Sequence, residues 1–191
     1  MNDFDLGQAL ESLKNGGIIV YPTDTIYGLG CDIFNKKAIK KIYQLKKRDP
    51  KKPLSIICHD FKQISQYAYL SDQAFKTMKK LLPGPYTFIL KAKNKTPSTF
   101  ISKKKTVGIR IPQNAICLEL VKQLGNPIIT TSLNISGEQV MTDPQELSKE
   151  MINKIDYIID VGPLPQEAST IIDFTQELPE VLRQGKGQIN F

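Results

Sequence analysis

Seven polar residues stand where apolar runs break: Thr25, Lys46, Arg48, Arg110, Ser132, Asn134 and Arg183. A hydrophobic core has no use for them. Guanidinium forks and an ammonium point charge suit phosphate and carboxylate oxygens, whereas hydroxyls and an amide supply orientable hydrogen bonds. Gathered around one hollow, these groups would hold a nucleotide beside a small zwitterion. The pattern predicts an enzyme.

The segment Pro22-Thr23-Asp24-Thr25-Ile26-Tyr27-Gly28-Leu29-Gly30 combines hydroxyls and a carboxylate with glycines that let a ligand approach the backbone. A turn capped by Asp24 is the alternative, and the segment is not a Walker loop. Lys46-Lys47-Arg48-Asp49-Pro50-Lys51-Lys52-Pro53 leaves the C-terminal end of a helix, where the macrodipole favours cations. That accounts for Lys47, Lys51 and Lys52 as solvated charges. Lys46 and Arg48, two apart in an extended segment, point the same way. Arg110 interrupts the apolar run VGIRIP, and a charge inside a strand is costly unless it is paired or faces a polar cavity. A salt bridge to an acid is its alternative.

Thr130-Thr131-Ser132-Leu133-Asn134-Ile135-Ser136-Gly137 ends a strand with polar side chains on one face, so Ser132 and Asn134 can meet one ligand. Open α/β sheets bind ligands beyond the carboxyl ends of their strands. An Asx or Ser turn is the competing account and suits Ser136-Gly137 better than the Ser-x-Asn spacing. Ser169-Thr170 enters another strand and could equally be an edge pair. Arg183 with Gly185 and Gly187 suggests a flexible basic arm closing over phosphate, or a plain surface turn.

Local signals place the elements that carry these motifs. Asp3 or Asp5 caps a first helix in which Leu6, Leu10 and Leu13 recur at helical spacing, ending at Asn15-Gly16-Gly17. Further helices carry Ala38, Ile39, Ile42 and Leu45; then Ala74, Phe75, Met78 and Leu82 behind a Ser71 or Asp72 cap; then Ala115, Ile116, Leu118, Leu120, Val121 and Leu124. Asp143-Pro144 with Glu146 starts another, with Leu147, Met151 and Ile155 on its apolar face. Strands are expected at 18–21, 54–58, 86–92, 106–111 and 128–132, followed by three late ones at 157–161, 170–174 and 180–183 without intervening helices. The early elements alternate and the late ones resemble a meander, which predicts an α/β domain with a mixed sheet.

With 191 residues, 40% apolar and 24% charged, the chain can bury an ordinary core, and one domain over residues 1–191 is expected. A net charge of +7 favours nucleotides, pyrophosphate or RNA as partners and says nothing about fold. Cys31, Cys58 and Cys117 are odd in number and lack metal-ligand spacing, and His59 is the sole histidine, so neither a zinc site nor a disulfide framework is expected. The N-terminal stretch is acidic where a signal peptide would be basic, and no apolar run nears the roughly 18 residues of a membrane span. The chain reads as cytoplasmic, with no membrane contact.

Taken in order, PTDTIYGLG, KKRDPKKPL, VGIRIP, TTSLNISG, ASTIID and VLRQGKG resemble the YrdC/YciO family, whose best-known members are threonylcarbamoyl-adenylate synthases of tRNA modification. The likeness runs from Gly16 to Gly187, nearly the whole chain. It implies a twisted open mixed α/β sheet with flanking helices and a large basic concave cavity. It also implies a reaction in which L-threonine, bicarbonate and ATP give threonylcarbamoyl-AMP and pyrophosphate, after which a separate transferase acts on the tRNA adenosine beside the anticodon. Carried over residue by residue, the resemblance puts Thr25 near the amino acid and His59 near the threonine pocket. Lys46 and Arg48 become the catalytic pair on the triphosphate and threonine side, and Arg110 the carboxylate clamp. Thr130 or Ser132, with Asn134, would hold the adenylate, Ser169 would touch threonine, and Arg183 would bind phosphate. No side-chain nucleophile is required, and Mg²⁺ would arrive on ATP and not on protein ligands.

The stretches SDQAFKTMKKLLPGPYTFILKAKN and KKKTVGIRIP look closer to the YciO branch, and Asp49 stands where many synthases have proline. The retained Ser132 and Asn134 favour nucleotide handling. Longer relatives carry a second domain, which is not expected here. Two other functions stay open: a module binding double-stranded RNA or tRNA by shape and charge, and a YciO-type paralogue that works on a related carbamoyl compound or reverses the tRNA modification.

Overall fold

A computed structural model describes residues 5–189. Asp5 caps helix α1 (Leu6–Lys14), its carboxylate accepting the Gly7 and Gln8 amides; Asp3 lies outside the described residues. The chain continues through β1 (Ile19–Tyr21), β2 (Gly28–Gly30), α2 (Lys36–Leu45), β3 (Ser55–Ile57), α3 (Phe61–Tyr67) and α4 (Asp72–Leu81). Next come β4 (Tyr86–Lys91), β5 (Thr106–Arg110), α5 (Ala115–Leu124), β6 (Ile128–Ser132), α6 (Lys149–Ile152), β7 (Tyr157–Ile158), β8 (Thr170–Asp173) and β9 (Glu180–Arg183). Asn35, Asp60, Ser71 and Asn114 each accept an amide of the first turn of the helix they precede, which satisfies a donor that the helix itself cannot. Gly125, at φ 76°, ends α5 in the left-handed conformation open to glycine.

The nine strands form one twisted, open, mixed sheet in the order β7-β1-β2-β6-β3-β5-β4-β8-β9. Strand side chains alternate between faces, and the alternation separates two apolar layers. Ile19, Tyr21, Ile57 and Ile128 face α1 and α5, where they meet Leu13, Cys117, Leu120 and Val121. Ile18, Val20, Ile56, Ile109 and Ile129 point the other way, into the larger cluster with α2, α3 and α4. Each fully buried Ile or Leu in these layers contributes about 1.5–3 kcal/mol.

Several expectations change. Strand β2, inside the segment read as a ligand loop, pairs antiparallel with both β1 and β6. Glycine is required there by close approach, since a Cβ on Gly30 would stand 2.1 Å from the Ile129 carbonyl oxygen. Helix α3 was also unforeseen. The helix expected from Asp143 is instead a 3₁₀ turn (Pro144–Glu146) and a separate α6, because Leu147 is extended and Ser148 starts a second cap. The late strands are no meander: β7 pairs in parallel with β1 at one edge of the sheet, while β8 and β9 close the other. Phe75, placed on the apolar face of α4, is 41% exposed, and Ala74 and Met78 carry that face.

Candidate active site

On the face covered by α1 and α5, the rows that hold Ile57 and Ile128 run on into polar residues. Ser55 lies two positions before Ile57, and Thr130 and Ser132 two and four after Ile128, so each shares its face. Register adds Arg110 beside Ile57, Gly108 and Thr130 beside Ser55, and Thr87 beside Ile171. The rows are apolar where helices lie over them and polar where none does. In that uncovered part opens a cavity of about 220 Å³.

Arg48, Arg110 and Arg183 line it, together with the hydroxyls of Thr23, Thr87, Thr130, Ser132 and Ser169. The Arg110 side chain is 7% exposed and donates through Nη2 to Asp24 Oδ1 at 2.9 Å and to Thr25 Oγ1 at 3.0 Å. Asp24, equally buried, accepts the Gln113 amide on its other oxygen at 3.0 Å. Both readings of Arg110 therefore apply, since it is paired and also faces the cavity. Its Nε is buried with no partner, as is that of Arg48, whose Nη2 donates to the Pro53 carbonyl at 3.0 Å. Buried donors left free in this way are uncommon, and these two belong to residues of the cavity lining, whereas the hydroxyls of Thr99 and Ser136, also buried without a partner, do not.

Arg183 donates from Nε and Nη2 to the Ser169 carbonyl at 3.1 and 2.7 Å. Ser169 Oγ in turn meets Thr87 Oγ1 at 2.8 Å. Loss of water, and secondarily the cation of Arg110, pull the Arg183 pKa below its ordinary value. The lining thus contributes three guanidinium groups and no carboxylate, with Asp24 behind Arg110 offsetting one of them. An anion in the cavity would relieve that repulsion.

Four other residues singled out in the sequence lie outside the cavity wall. Thr25 is fully buried behind Arg110, its hydroxyl shared with Thr23 Oγ1 at 2.9 Å. Lys46 is 1% exposed and outside the lining; its Nζ donates to the Ser132 carbonyl and to both oxygens of Asn134. Burial, and then Arg48, push Lys46 down to about 7, against the pull of three oxygens that hold its proton. Asn134 is consumed in the same knot. His59 lies apart, half-exposed just past β3, with Nδ1 3.4 Å from Asp60 Oδ2.

The basic segment after β9 is no loose arm. Lys186 Nζ donates to the Asp24 carbonyl at 2.6 Å, the Gly187 carbonyl accepts Thr170 Oγ1 at 2.7 Å, and the Gln188 carbonyl accepts Tyr86 Oη at 2.8 Å. Thr87 and Ser55 in the lining, and Asp24 and Lys186 behind it, are neighbours of the cavity beyond the residues singled out in the sequence. Asp24, between two threonines of a motif already suspected, offered a signal; Thr87, inside an apolar strand, offered none.

Among the described residues no group of three or more His, Cys, Asp or Glu side chains is placed to hold a metal ion, and no helix is long and apolar enough to cross a membrane.

Comparison with known proteins places the fold. The crystal structure of E. coli YciO superposes with a TM-score of 0.90 at 38% identity, over 96% of this chain and 90% of that one. P. abyssi Sua5 complexed with L-threonine superposes with a TM-score of 0.89 at 32% identity, over 94% of this chain and 54% of that longer one. A putative threonylcarbamoyl-AMP synthase of Methanocaldococcus jannaschii is 41% identical over 97% of this chain and 89% of its own length. The Sua5/YciO/YrdC family, described as telomere recombination, matches residues 11–185. On the strength of that match and of the shared fold, the chain belongs to the Sua5/YciO/YrdC family.

Proposed function

We propose that the protein is an ATP-dependent threonylcarbamoyl-adenylate synthase. The supporting observation is the meeting of three guanidinium groups and a band of hydroxyls in one cavity. Relatives named as threonylcarbamoyl-AMP synthases favour the same reading. In this account Arg48 and Arg183 take triphosphate oxygens of the substrate MgATP. The free Arg110 Nε takes the threonine carboxylate, and Ser169, Thr87 and Thr23 orient its hydroxyl and amine. Thr130 and Ser132 flank the adenylate. The threonine amine attacks bicarbonate and water leaves. An oxygen of the resulting carbamate then attacks the α-phosphorus, and pyrophosphate departs with the electron pair of the broken P–O bond. Alignment of two bound reactants and cations fixed around the departing charge supply the rate enhancement. Pyrophosphate release should require ATP, bicarbonate and threonine together; release with ATP alone would sink the proposal.

A lysine-rich segment supports RNA binding as a second function. Residues 91–105 hold six lysines and no acid. Lys91, Lys104 and Lys105 share a groove with Tyr69, which is 58% exposed. That groove suits the backbone of double-stranded RNA or tRNA, and a downstream tRNA transferase would be the next partner. Such binding should weaken steeply with salt and be reduced by Lys104→Glu with Lys105→Glu. Mass spectrometry of the products separates adenylate synthesis from a YciO-type activity on a related carbamoyl compound or on modified tRNA.

A further inference from the structure

All three N–H groups of the Lys46 ammonium are spent on one loop. They reach the Ser132 carbonyl at 2.5 Å, the Asn134 carbonyl at 2.8 Å and Asn134 Oδ1 at 2.8 Å. The Lys46 carbonyl accepts the Ser136 amide at 2.8 Å, so main chain and side chain grip the same turn. Asn134 completes the knot: its Oδ1 also accepts Ser132 Oγ at 2.6 Å, and its Nδ2 donates to the Glu138 carbonyl at 2.8 Å. Among the described residues no carboxylate pairs with Lys46.

Residues 133–138 form neither helix nor strand, so this loop takes its shape from these contacts and not from a regular ladder. Ser132, at its root, lines the cavity, whereas Lys46 does not. An ammonium has three donors and no more. One that binds three protein oxygens has none left for phosphate unless it abandons the loop and leaves buried carbonyls without their donor, which is unfavourable.

We propose that Lys46 is a positioning residue whose ammonium holds residues 132–138, and through them the Ser132 wall of the cavity, without contacting the bound nucleotide. The proposal rests on the nucleotide-binding reading above and removes Lys46 from the list of phosphate ligands that its place two residues before Arg48 suggests. Arg48, with its free Nε, is left as the phosphate contact of that motif.

Calorimetric binding of AMP, ADP and ATP to the parent and to Lys46→Met tests it. A phosphate ligand would lose more affinity with each added phosphate. A residue that only shapes the wall should weaken all three by a common factor, about tenfold, and leave the ATP-to-AMP affinity ratio unchanged. A ratio that falls tenfold or more overturns the assignment. If Lys46→Met does not fold, amide hydrogen exchange of the parent decides. Added ATP should leave residues 132–138 as protected as before or more so, and faster exchange there would mean that Lys46 leaves the loop for phosphate. A parent that binds none of the three nucleotides overturns the nucleotide reading itself, an outcome distinct from one in which the parent binds and the ratio falls.

Discussion

Replacing Asp24 by Asn should destabilise the fold and tighten anion binding at the same time. The Asp24 carboxylate is the sole ion-pair partner of Arg110 among the described residues, 2.9 Å away, with both side chains over nine-tenths buried. Removing one member of a buried pair typically costs 3–5 kcal/mol, because the survivor keeps its charge without compensation. Asn retains the shape and one acceptor, which places the loss near the lower bound, about 3 kcal/mol. It cannot serve Arg110 and the Gln113 amide together, since both sites now require an oxygen. For a chain of this size each kcal/mol moves the melting temperature by about 2–4 °C, so calorimetry should show a fall of about 6–12 °C. The second effect has the opposite sign. With Asp24 neutral, Arg110 offers its full charge to the cavity, and a carboxylate or phosphate placed there replaces the missing counterion. Tenfold tighter binding corresponds to about 1.4 kcal/mol, so saturating ATP and threonine should raise the variant's melting temperature by about 3–5 °C more than the parent's. A variant that melts within 2 °C of the parent, or that gains less from ligands, would refute the account of Arg110 as a caged cation waiting for an anion.

Three other perturbations test separate parts. Arg183→Ala should weaken nucleotide affinity tens-fold, or about 1.5–3 kcal/mol in calorimetric titration, and Arg183→Lys should not restore it, because two N–H groups of the planar fork meet one Ser169 carbonyl. Gly187→Ala puts a Cβ 2.3 Å from the Tyr86 ring, so it should displace the segment after β9 and lower stability by about 1–3 kcal/mol in urea unfolding. Burial raises the pKa of Cys31, Cys58 and Cys117, so the folded chain keeps protons that the unfolded chain sheds above about pH 8.5. Their contribution is fully present below that pH and should decline above it by about 1.4 kcal/mol per thiol per pH unit. Lys46, lowered by burial, pulls the other way between about 7 and its ordinary 10.5, making the decline shallower. A flat unfolding free energy from pH 8 to 10 would contradict the thiol burial.

Much of the fold could be read from local signals. The caps at Asp5 and Ser71, the stop at Gly125 and the apolar stripes of α2 and α5 act within a few residues, and so they show in a short window. Helix α3 carried a usable signal as well: Asp60 accepts the Gln63 amide, and Gln63 reaches back to the His59 amide, a close variant of the capping box. Strand β2 carried none, because Gly28-Leu29-Gly30 becomes a strand only by lying between β1 and β6. The edge position of β7 depends likewise on pairing with β1, far away in sequence.

For the site, residue chemistry picked out the cations and hydroxyls, but not their division of labour. Side-chain type and alternation determined that Arg110, Thr130 and Ser132 would be costly in a sealed core and so would need a polar hollow. Strand order and register decided which of them share it. The Arg110–Asp24 pair spans 86 residues and the Lys46–Asn134 contact 88. Nothing local indicates that one of two similarly placed cations faces a cavity while the other is spent on a loop. That outcome follows from which oxygens the fold brings within hydrogen-bonding range, a property of the assembled sheet and of no single segment.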